Sequence, residues 1–162
     1  MGGTSTDVAL IRGGEPSVSN EIELEYAMPI HVSMVDVRTI GAGGGSIAKV
    51  NDAGLLEVGP HSAGAETGPI CYGRGGNEPT ISDANFLLGR LDVTKLKSVS
   101  QEVDIEHIRS IFQEKLGDPL NIDAETAAAA VLQVAITRMA GATRMVSVCL
   151  LYTSPSPRDS VV

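Results

Sequence analysis

The chain has 162 residues, of which 43% are hydrophobic and 3% aromatic, and its formal net charge is −8. This length accommodates one hydrophobic core of ordinary size and argues against a second complete domain. The acidic balance and the scarcity of aromatic residues argue against a nucleic-acid partner or an anionic membrane surface, and no apolar run is long enough to span a bilayer.

The chain opens on a turn rich in glycine and hydroxyl side chains, which runs into an apolar strand from Val8 to Arg12. Glycine lets a backbone approach an oxyanion, hydroxyl groups add donors, and an acid ending such a turn commonly serves a metal ion. These residues leave two interpretations open, a phosphate-binding turn and an ordinary Gly-Gly turn before a strand. The turn consists of Gly2, Gly3, Thr4, Ser5, Thr6 and Asp7.

Further strands are predicted in the next part of the chain. Alternating apolar and polar residues predict a half-buried strand over Ile22 to Tyr26, and β-branched residues predict another over Val32 to Ile40. Ile47 to Val50 and Leu55 to Val58 flank a good turn, Asn51 to Gly54, and are predicted to pair as a hairpin.

A glycine loop, Gly41 to Gly45, lies between two of these strands. Because a strand and not a helix follows it, the usual phosphate site at a helix N-terminus and its dinucleotide-binding counterpart are excluded. Glycine permits close approach, either by a ligand or by the backbone of the first turn, and both alternatives remain open. The residues placed near a ligand under the first alternative are Gly43, Gly44, Gly45 and Ser46.

A long loop without apolar periodicity, Ser62 to Gly76, follows the hairpin. Loops of this length in a compact domain are often functional. Arg74 is the natural anion ligand in this loop, because a guanidinium grips a carboxylate or a phosphate through two hydrogen bonds. The alternative is an ordinary surface arginine.

Helices are predicted in the second half of the chain. Asp104 caps one helix that ends at Gly117, and Asp123 starts the longest helix. The longest helix carries an apolar stripe at three- and four-residue spacing, which faces a core. Together, the predicted strands and helices indicate an α/β fold in which an antiparallel-rich sheet is followed by helices. The stripe consists of Ala128, Val131, Leu132, Ala135, Ile136 and Met139.

Asp83 has two interpretations. Either Ser82 or Asp83 can cap a short helix over Ala84 to Leu88, which Gly89 closes. The alternative is a catalytic or metal-organising carboxylate, and the two roles can coexist.

Residues Cys149 to Asp159 differ from the rest of the chain. One reading frame of a common transposase-based sequencing adapter encodes the same string, and an Ala-rich helical pattern ends where the string begins. Pro155 and Pro157 forbid a continuing helix. We expect residues 149–162 to be a non-native tail that carries no function and adds nothing to stability.

Taken in order, these motifs resemble the hydantoinase A region of the hydantoinase/oxoprolinase family. The resemblance is specific from Gly2 to about Leu91 and looser through the helical stretch to Val148. The family includes ATP-dependent 5-oxoprolinases, N-methylhydantoinases and the related subunit of acetone carboxylases. The first turn is also similar to the second phosphate motif of the actin, sugar-kinase and heat-shock ATPase superfamily. The leading acid of that motif would precede Met1, so the resemblance implies a truncated fragment.

The resemblance implies a fragment of one lobe of an actin-like, ribonuclease H-like ATPase, with a sheet-rich phosphate-binding part over 1–97 and a helical part over 98–148. It implies an ATP- and Mg²⁺-dependent enzyme that opens a cyclic amide, or a ketone carboxylase subunit of the same family. A B-type hydantoinase subunit or region is the implied partner besides the small-molecule substrate. The resemblance also implies that the complete enzyme is oligomeric and cytoplasmic.

The resemblance also assigns roles to the residues of the motifs. Backbone N–H groups of the first turn would bind the β- and γ-phosphates of ATP, two hydroxyls would donate to the same oxygens, and the acid would organise the metal. We expect the first turn, the glycine loop and part of the Ser62 to Gly76 loop to converge. The implied catalytic residues are Asp7 and Asp83. Asp7 is also the implied metal ligand. The implied ATP-binding residues are Gly2, Gly3, Thr4, Ser5, Thr6, Gly43, Gly44, Gly45, Ser46 and Arg74.

A heat-shock-type ATPase module is an alternative that shares the first phosphate motif. It does not account for the motifs at Ser62 to Gly76 and Pro79 to Asn85. We expect the isolated fragment to be inactive, because an actin-like ATPase closes its site between two lobes.

Overall fold

The computed structural model of the protein describes residues 1–19, 22–24, 28–30, 33–92, 99 and 103–149. The chain divides into two compact units, the first formed by Met1–Thr6 and Ile40–Met139 and the second by Asp7–Thr39 and Ala140–Val162. The division predicted after residue 97 falls in 93–98, outside the described residues. Residues 150–162 of the predicted tail also lie outside them.

The strands of the described residues are short and form pairs. They are β1 (Thr6–Ala9), β2 (Ile11–Arg12), β3 (Glu15–Pro16), β4 (Val18–Ser19), β5 (Ile22–Leu24), β6 (Met28–Ile30), β7 (Met34–Val35), β8 (Val37–Ile40), β9 (Ser46–Val50) and β10 (Leu56–Ser62). The pairs are β1 with β8, β2 with β3, β4 with β7, β5 with β6 and β9 with β10. The last four pairs are antiparallel, as the sequence predicted, but the described strands form separate pairs and not one continuous sheet.

The hairpin of β9 and β10 confirms the pairing predicted around the turn at Asn51. Val50 pairs with Leu56 and Ala48 with Val58. The Asn51 side-chain oxygen accepts hydrogen bonds from the N–H groups of Ala53 and Leu55, both at 3.0 Å, which closes an Asx turn. The glycine loop is followed by strand β9, as expected.

Among the described residues, the helical part of the chain contains four α-helices and three segments of other helix types. The α-helices are α1 (Ile81–Leu87), α2 (Ile105–Phe112), α3 (Asp118–Leu120) and α4 (Ala124–Arg144). A 3₁₀ helix spans Ile70–Tyr72, and π-helical turns span Gln113–Gly117 and Met145–Cys149.

Helix α1 begins earlier than predicted, and its cap is Thr80 in place of Ser82 or Asp83. The Thr80 hydroxyl accepts a hydrogen bond from the Asp83 N–H at 3.3 Å, and the Asp83 carboxylate accepts one from the Thr80 N–H at 3.0 Å. This reciprocal arrangement is a capping box, which satisfies two N–H groups that a helix start leaves without partners. Asp83 therefore lies inside the first turn of the helix.

The predicted end of the second helix at Gly117 is wrong. The helix continues through the π-helical turn into α3 and ends at Asn121, whose φ is 56°. A Cβ on Gly117 would lie 2.6 Å from the Gln113 side chain and 2.8 Å from the Ile122 carbonyl oxygen, so this glycine serves close packing instead of a helix end. The predicted cap of α2 is confirmed, since Asp104 accepts the Glu106 N–H at 3.1 Å.

The core of the first unit lies between the β9–β10 hairpin and helices α1, α2 and α4. Ile108, Phe112 and Val131 are fully buried there. Burial of each such side chain contributes about 1.5–3 kcal/mol to the stability of the fold. The stripe predicted on the longest helix is confirmed at Ala128, Val131, Leu132 and Ala135, which are buried, whereas Met139 is half-buried and Ile136 is 51% exposed. Among the described residues, no helix has both the length and the apolar character needed to cross a membrane.

Candidate functional site

A cavity of about 180 Å³ in the first unit gathers residues from four segments of the chain. The segments are the first turn, the glycine loop, the long loop after the hairpin and the start of α1. The expected convergence of the first three segments is therefore confirmed. The cavity is lined by Gly3 and Thr4, by Gly44 and Gly45, by Gly64, Ala65, Pro69 and Tyr72, and by Ser82.

The first turn is joined to the glycine loop by backbone hydrogen bonds. The Gly44 N–H donates to the Gly2 carbonyl at 3.0 Å, and the Gly45 N–H donates to the Gly3 carbonyl at 2.6 Å. The turn is closed internally by the Gly2 N–H, which donates to the Ser5 carbonyl at 2.7 Å. These bonds fix the two segments against each other on one side of the cavity.

The glycine loop approaches its neighbours more closely than any side chain allows. A Cβ on Gly43 would lie 2.5 Å from the Thr4 carbonyl carbon, and one on Gly44 would lie 2.8 Å from the Ser82 hydroxyl oxygen. Real Cβ atoms do not approach heavy atoms this closely. Of the two alternatives for this loop, the structure shows tight packing for Gly43. Gly44 and Gly45 combine packing with a position on the cavity wall.

Gly3 and Thr4 line the cavity. Their backbone N–H groups donate to no other residue in the described part of the chain. A Cβ on Gly3 would meet no heavy atom within 4 Å, so the space at this point of the turn is open. Two adjacent peptide N–H groups at an open turn form a concave site suited to an anion.

Two hydroxyl groups predicted to face a nucleotide have other partners. The Thr6 hydroxyl is buried and donates to the Ala42 carbonyl at 2.6 Å. The Ser46 hydroxyl oxygen, also buried, accepts the Gly43 N–H at 2.8 Å. Both hold the glycine loop in place, and neither residue lines the cavity. Gly2, Ser5 and Gly43 do not line it either.

Two of the three charged side chains predicted at the site, Arg74 and Asp7, lie outside the lining of this cavity, as does the third, Asp83. The Arg74 guanidinium donates to the carbonyl of Ala65, a residue of the cavity wall, at 3.3 Å. Asp7 belongs to the second unit, where its exposed carboxylate accepts a hydrogen bond from the Thr39 hydroxyl at 2.6 Å. Among the described residues, no three histidine, cysteine or acidic side chains form a cluster able to hold a metal ion.

Asp83 is fully buried beneath the cavity wall. One carboxylate oxygen accepts the Cys71 N–H at 2.7 Å, and the other accepts the Thr80 N–H at 3.0 Å and the Thr80 hydroxyl at 2.7 Å. Burial raises the pKa of Asp83, and the hydrogen bonds from Cys71 and Thr80 oppose that rise. Both oxygens are occupied by the protein, so the geometry favours the capping interpretation over direct contact with a ligand.

Five residues of the cavity wall were not among the predicted site residues: Gly64, Ala65, Pro69, Tyr72 and Ser82. Ser82 was predicted only as a helix cap, and no role was predicted for Tyr72. The spacing from Thr80 to Asp83 was a usable signal, because a capping box places Ile81 and Ser82 in the first turn of the helix, where Ser82 is half-buried and Ile81 is buried. No comparable signal identifies Tyr72 within a loop that lacks periodicity.

Cys71 is expected to resist alkylation in the folded protein. Its thiol is fully buried, and burial, together with the charge of Asp83, raises its pKa far above the ordinary value, so the reactive thiolate is not populated. Iodoacetamide at pH 8 should leave Cys71 unmodified in buffer and modify it in denaturant. Peptide mapping by mass spectrometry separates it from Cys149. Equal modification rates with and without denaturant would contradict the buried position.

The chain is similar to parts of longer known proteins. The caprolactamase alpha subunit of Pseudomonas jessenii is 42% identical over 160 residues, which cover 98% of this chain and 22% of that protein. The acetophenone carboxylase gamma subunit of Aromatoleum aromaticum is 39% identical over 145 residues, or 88% of this chain and 20% of that protein. The chain thus spans about a fifth of the length of these relatives.

The fold is also that of a solved relative. The crystal structure of the ATP-dependent caprolactamase from Pseudomonas jessenii superposes with a TM-score of 0.79 at 42% identity, covering 91% of this chain and 21% of that one. The family model described as hydantoinase/oxoprolinase matches residues 1–152. The cavity motifs, the superposition and the family match together show that the chain belongs to the hydantoinase/oxoprolinase family.

Proposed function

We propose that the chain is the phosphate-binding segment of an ATP-dependent hydrolase that opens cyclic amides. The observation that carries the proposal is the cavity between the first turn and the glycine loop, which Gly3 and Thr4 line with backbone N–H groups that have no partner among the described residues. The likeness to an ATP-dependent caprolactamase supports both the nucleotide and the class of substrate. The chain spans about a fifth of that relative, and we propose that the active site includes further segments.

The cavity suits phosphate groups for an electrostatic reason. The hydrogen bonds between the two glycine segments hold the peptide dipoles of the turn in place before a ligand arrives. Donors fixed in this way stabilise the charge that develops during phosphoryl transfer without reorganising. Thr4 and Ser82 also line the cavity, and their hydroxyls would supply further donors.

The bound nucleotide would supply a phosphoryl group that makes an unreactive amide carbon electrophilic. Within this proposal Gly3 and Thr4 bind the phosphates, and Asp7 organises Mg²⁺ or its waters, since carboxylate oxygen is a ligand that Mg²⁺ prefers. Asp7 is included because it is the acid that ends the first turn in the sequence. We propose further that the segment belongs to one lobe of an actin-like ATPase and that a B-type subunit or region assists it.

A ketone carboxylase subunit of the same family is the second candidate function. The 39% identity to an acetophenone carboxylase gamma subunit supports it. The phosphate-binding role of the cavity is common to both candidates, so the binding experiments below test that shared role. Turnover of the complete enzyme with a lactam or with a ketone and bicarbonate distinguishes them.

Titration of the ¹⁵N-labelled chain with sodium triphosphate tests the phosphate site directly. We expect the amide signals of Gly3, Thr4 and Gly45 to shift at millimolar ligand, because these residues line the cavity. The signals of Asn51 and Gly54 in the hairpin turn serve as the internal control. Shifts in the hairpin turn alone, or no shifts, would remove the basis for the proposal.

Gly3→Ala is expected to weaken triphosphate binding about tenfold, or about 1.4 kcal/mol. The added methyl group meets no protein atom within 4 Å, so the fold accepts it, but it occupies the open space before the turn. Gly2→Ala is the matched control, because its methyl group lies 3.5 Å from the Ser5 oxygen in ordinary contact. Calorimetric titration should show near wild-type triphosphate affinity for Gly2→Ala and reduced affinity for Gly3→Ala. An equal loss of affinity in both variants would place the ligand elsewhere.

A further inference from the structure

We propose that Asp83 is a positioning residue that sets the distance between two walls of the cavity. It ties the segment that carries Tyr72 to the segment that carries Ser82, and it does so without touching a ligand. The inference rests on the proposed function, because it concerns the same cavity. It goes further by naming the group that holds the cavity in shape.

The Asp83 carboxylate joins two segments that are separate in sequence. One oxygen accepts the N–H of Cys71, the residue directly before Tyr72. The other oxygen accepts both the N–H and the hydroxyl of Thr80, which precedes Ser82 in the first turn of α1. Because Tyr72 and Ser82 both line the cavity, one buried side chain fixes the relative position of two cavity walls.

The link extends to the third wall, the glycine loop. The Ser82 N–H donates to the Gly44 carbonyl at 2.8 Å, and a Cβ on Gly44 would lie 2.8 Å from the Ser82 hydroxyl. The start of α1 is held against β9 by the Ala48 N–H, which donates to the Pro79 carbonyl at 2.8 Å. A displacement of Thr80 is therefore transmitted to Ser82 and to the glycine loop.

The geometry requires a carboxylate and not merely a residue of its shape. Both oxygens of Asp83 face donors, and an asparagine amide would place its NH₂ group against one of them. The Thr80 hydroxyl can rotate to accept from that NH₂ group, but the N–H of Cys71 or of Thr80 cannot. Asp83→Asn therefore leaves a buried backbone donor without an acceptor, which loosens one end of the link.

The experiment compares Asp83→Asn with two control variants of the same chain. Asp104→Asn changes the exposed cap of α2, which asparagine caps equally well. Val131→Ala removes buried volume from α4 and provides a destabilised variant that leaves the cavity residues unchanged. Sodium triphosphate affinity and amide hydrogen exchange are measured at a temperature at which circular dichroism shows every variant folded.

We expect Asp83→Asn to weaken triphosphate binding at least about tenfold, as loss of a buried hydrogen bond implies, while both controls stay within about twofold. Amide exchange at Cys71 and Ser82 should rise in Asp83→Asn and remain unchanged in Val131→Ala. A loss of affinity no greater than that of Val131→Ala would overturn the proposal, because it would reduce Asp83 to a general contribution to stability.

Thr80→Val keeps the proposal testable should Asp83→Asn not fold. It removes one of the three hydrogen bonds to the carboxylate and retains the Thr80 N–H, so a smaller loss of affinity is expected, with recovery in Thr80→Ser. Wild-type affinity in Thr80→Val would count against the link. If the unmodified chain binds no triphosphate, the proposed function fails, and the exchange of Cys71 and Ser82 alone then decides whether Asp83 holds the two segments.

Discussion

Gly43→Ala is expected to destabilise the protein by about 3 kcal/mol, the upper end of the usual range for overpacking a buried site. Gly43 is buried, and its new Cβ would lie 2.5 Å from the Thr4 carbonyl carbon and 2.6 Å from the Ser5 nitrogen. These are backbone atoms of the first turn, so relief requires the turn itself to move. Loss of triphosphate binding should accompany the loss of stability, because the same turn carries the cavity donors.

Chemical denaturation followed by circular dichroism measures the effect, with Gly141→Ala as the matched control. A Cβ on Gly141 meets nothing within 4 Å, and Gly141 lies in α4, where alanine favours the helix. The control should therefore be as stable as the wild-type protein or more stable, by up to about 1 kcal/mol. Equal stability of Gly43→Ala and wild-type protein would show that the glycine loop and the first turn are not packed as described.

The parts of the fold that were predictable from sequence are those fixed by local chemistry. The Asn51 turn and the Asp104 cap each depend on a side chain that bonds to a backbone group within four residues. These local hydrogen bonds do not depend on how the rest of the chain folds. The glycine at 117 misled because glycine serves two purposes, helix termination and close packing, and only the approach of Gln113 and Ile122 distinguishes them.

The candidate site was predictable as a set of segments but not residue by residue. The first turn and the glycine loop converge because their glycines permit close approach, and these glycines can be identified directly from the sequence. Which hydroxyls face the cavity depends on partners far away in sequence. Thr6 is bound to the carbonyl of Ala42, whereas Ser82 reaches the cavity because Thr80 starts the helix.

The role of Asp83 also depends on a partner that is distant in sequence. A carboxylate in a motif that resembles a family signature suggests direct catalysis, and the local pattern suggests a cap. The structure adds a long-range partner, the Cys71 N–H, which neither pattern contains. This contact converts a local cap into a link between two cavity walls, and it makes asparagine a poorer substitute than capping preferences alone would predict.

Asp7→Asn in an enzyme completed by the remaining segments should lower ATP-dependent turnover at least about 10²-fold with little change in stability. Asparagine keeps the shape of the side chain and can still accept the hydrogen bond from the Thr39 hydroxyl, so the fold is retained. It removes the negative charge that we propose organises Mg²⁺ or its waters during phosphoryl transfer. Steady-state kinetics at several Mg²⁺ concentrations, with circular dichroism as the folding control, measures the loss.

Asp52→Asn is the matched control, because Asp52 is an exposed acid in the hairpin turn and does not line the cavity. Its turnover should equal that of the wild-type enzyme. If Asp7 acts through the metal, the Mg²⁺ concentration needed for half-maximal turnover should rise in Asp7→Asn and stay constant in Asp52→Asn. Wild-type turnover and wild-type Mg²⁺ dependence in Asp7→Asn would exclude Asp7 from the proposed metal site. The backbone N–H groups of Gly3 and Thr4 would then be the remaining basis for phosphate binding by this segment.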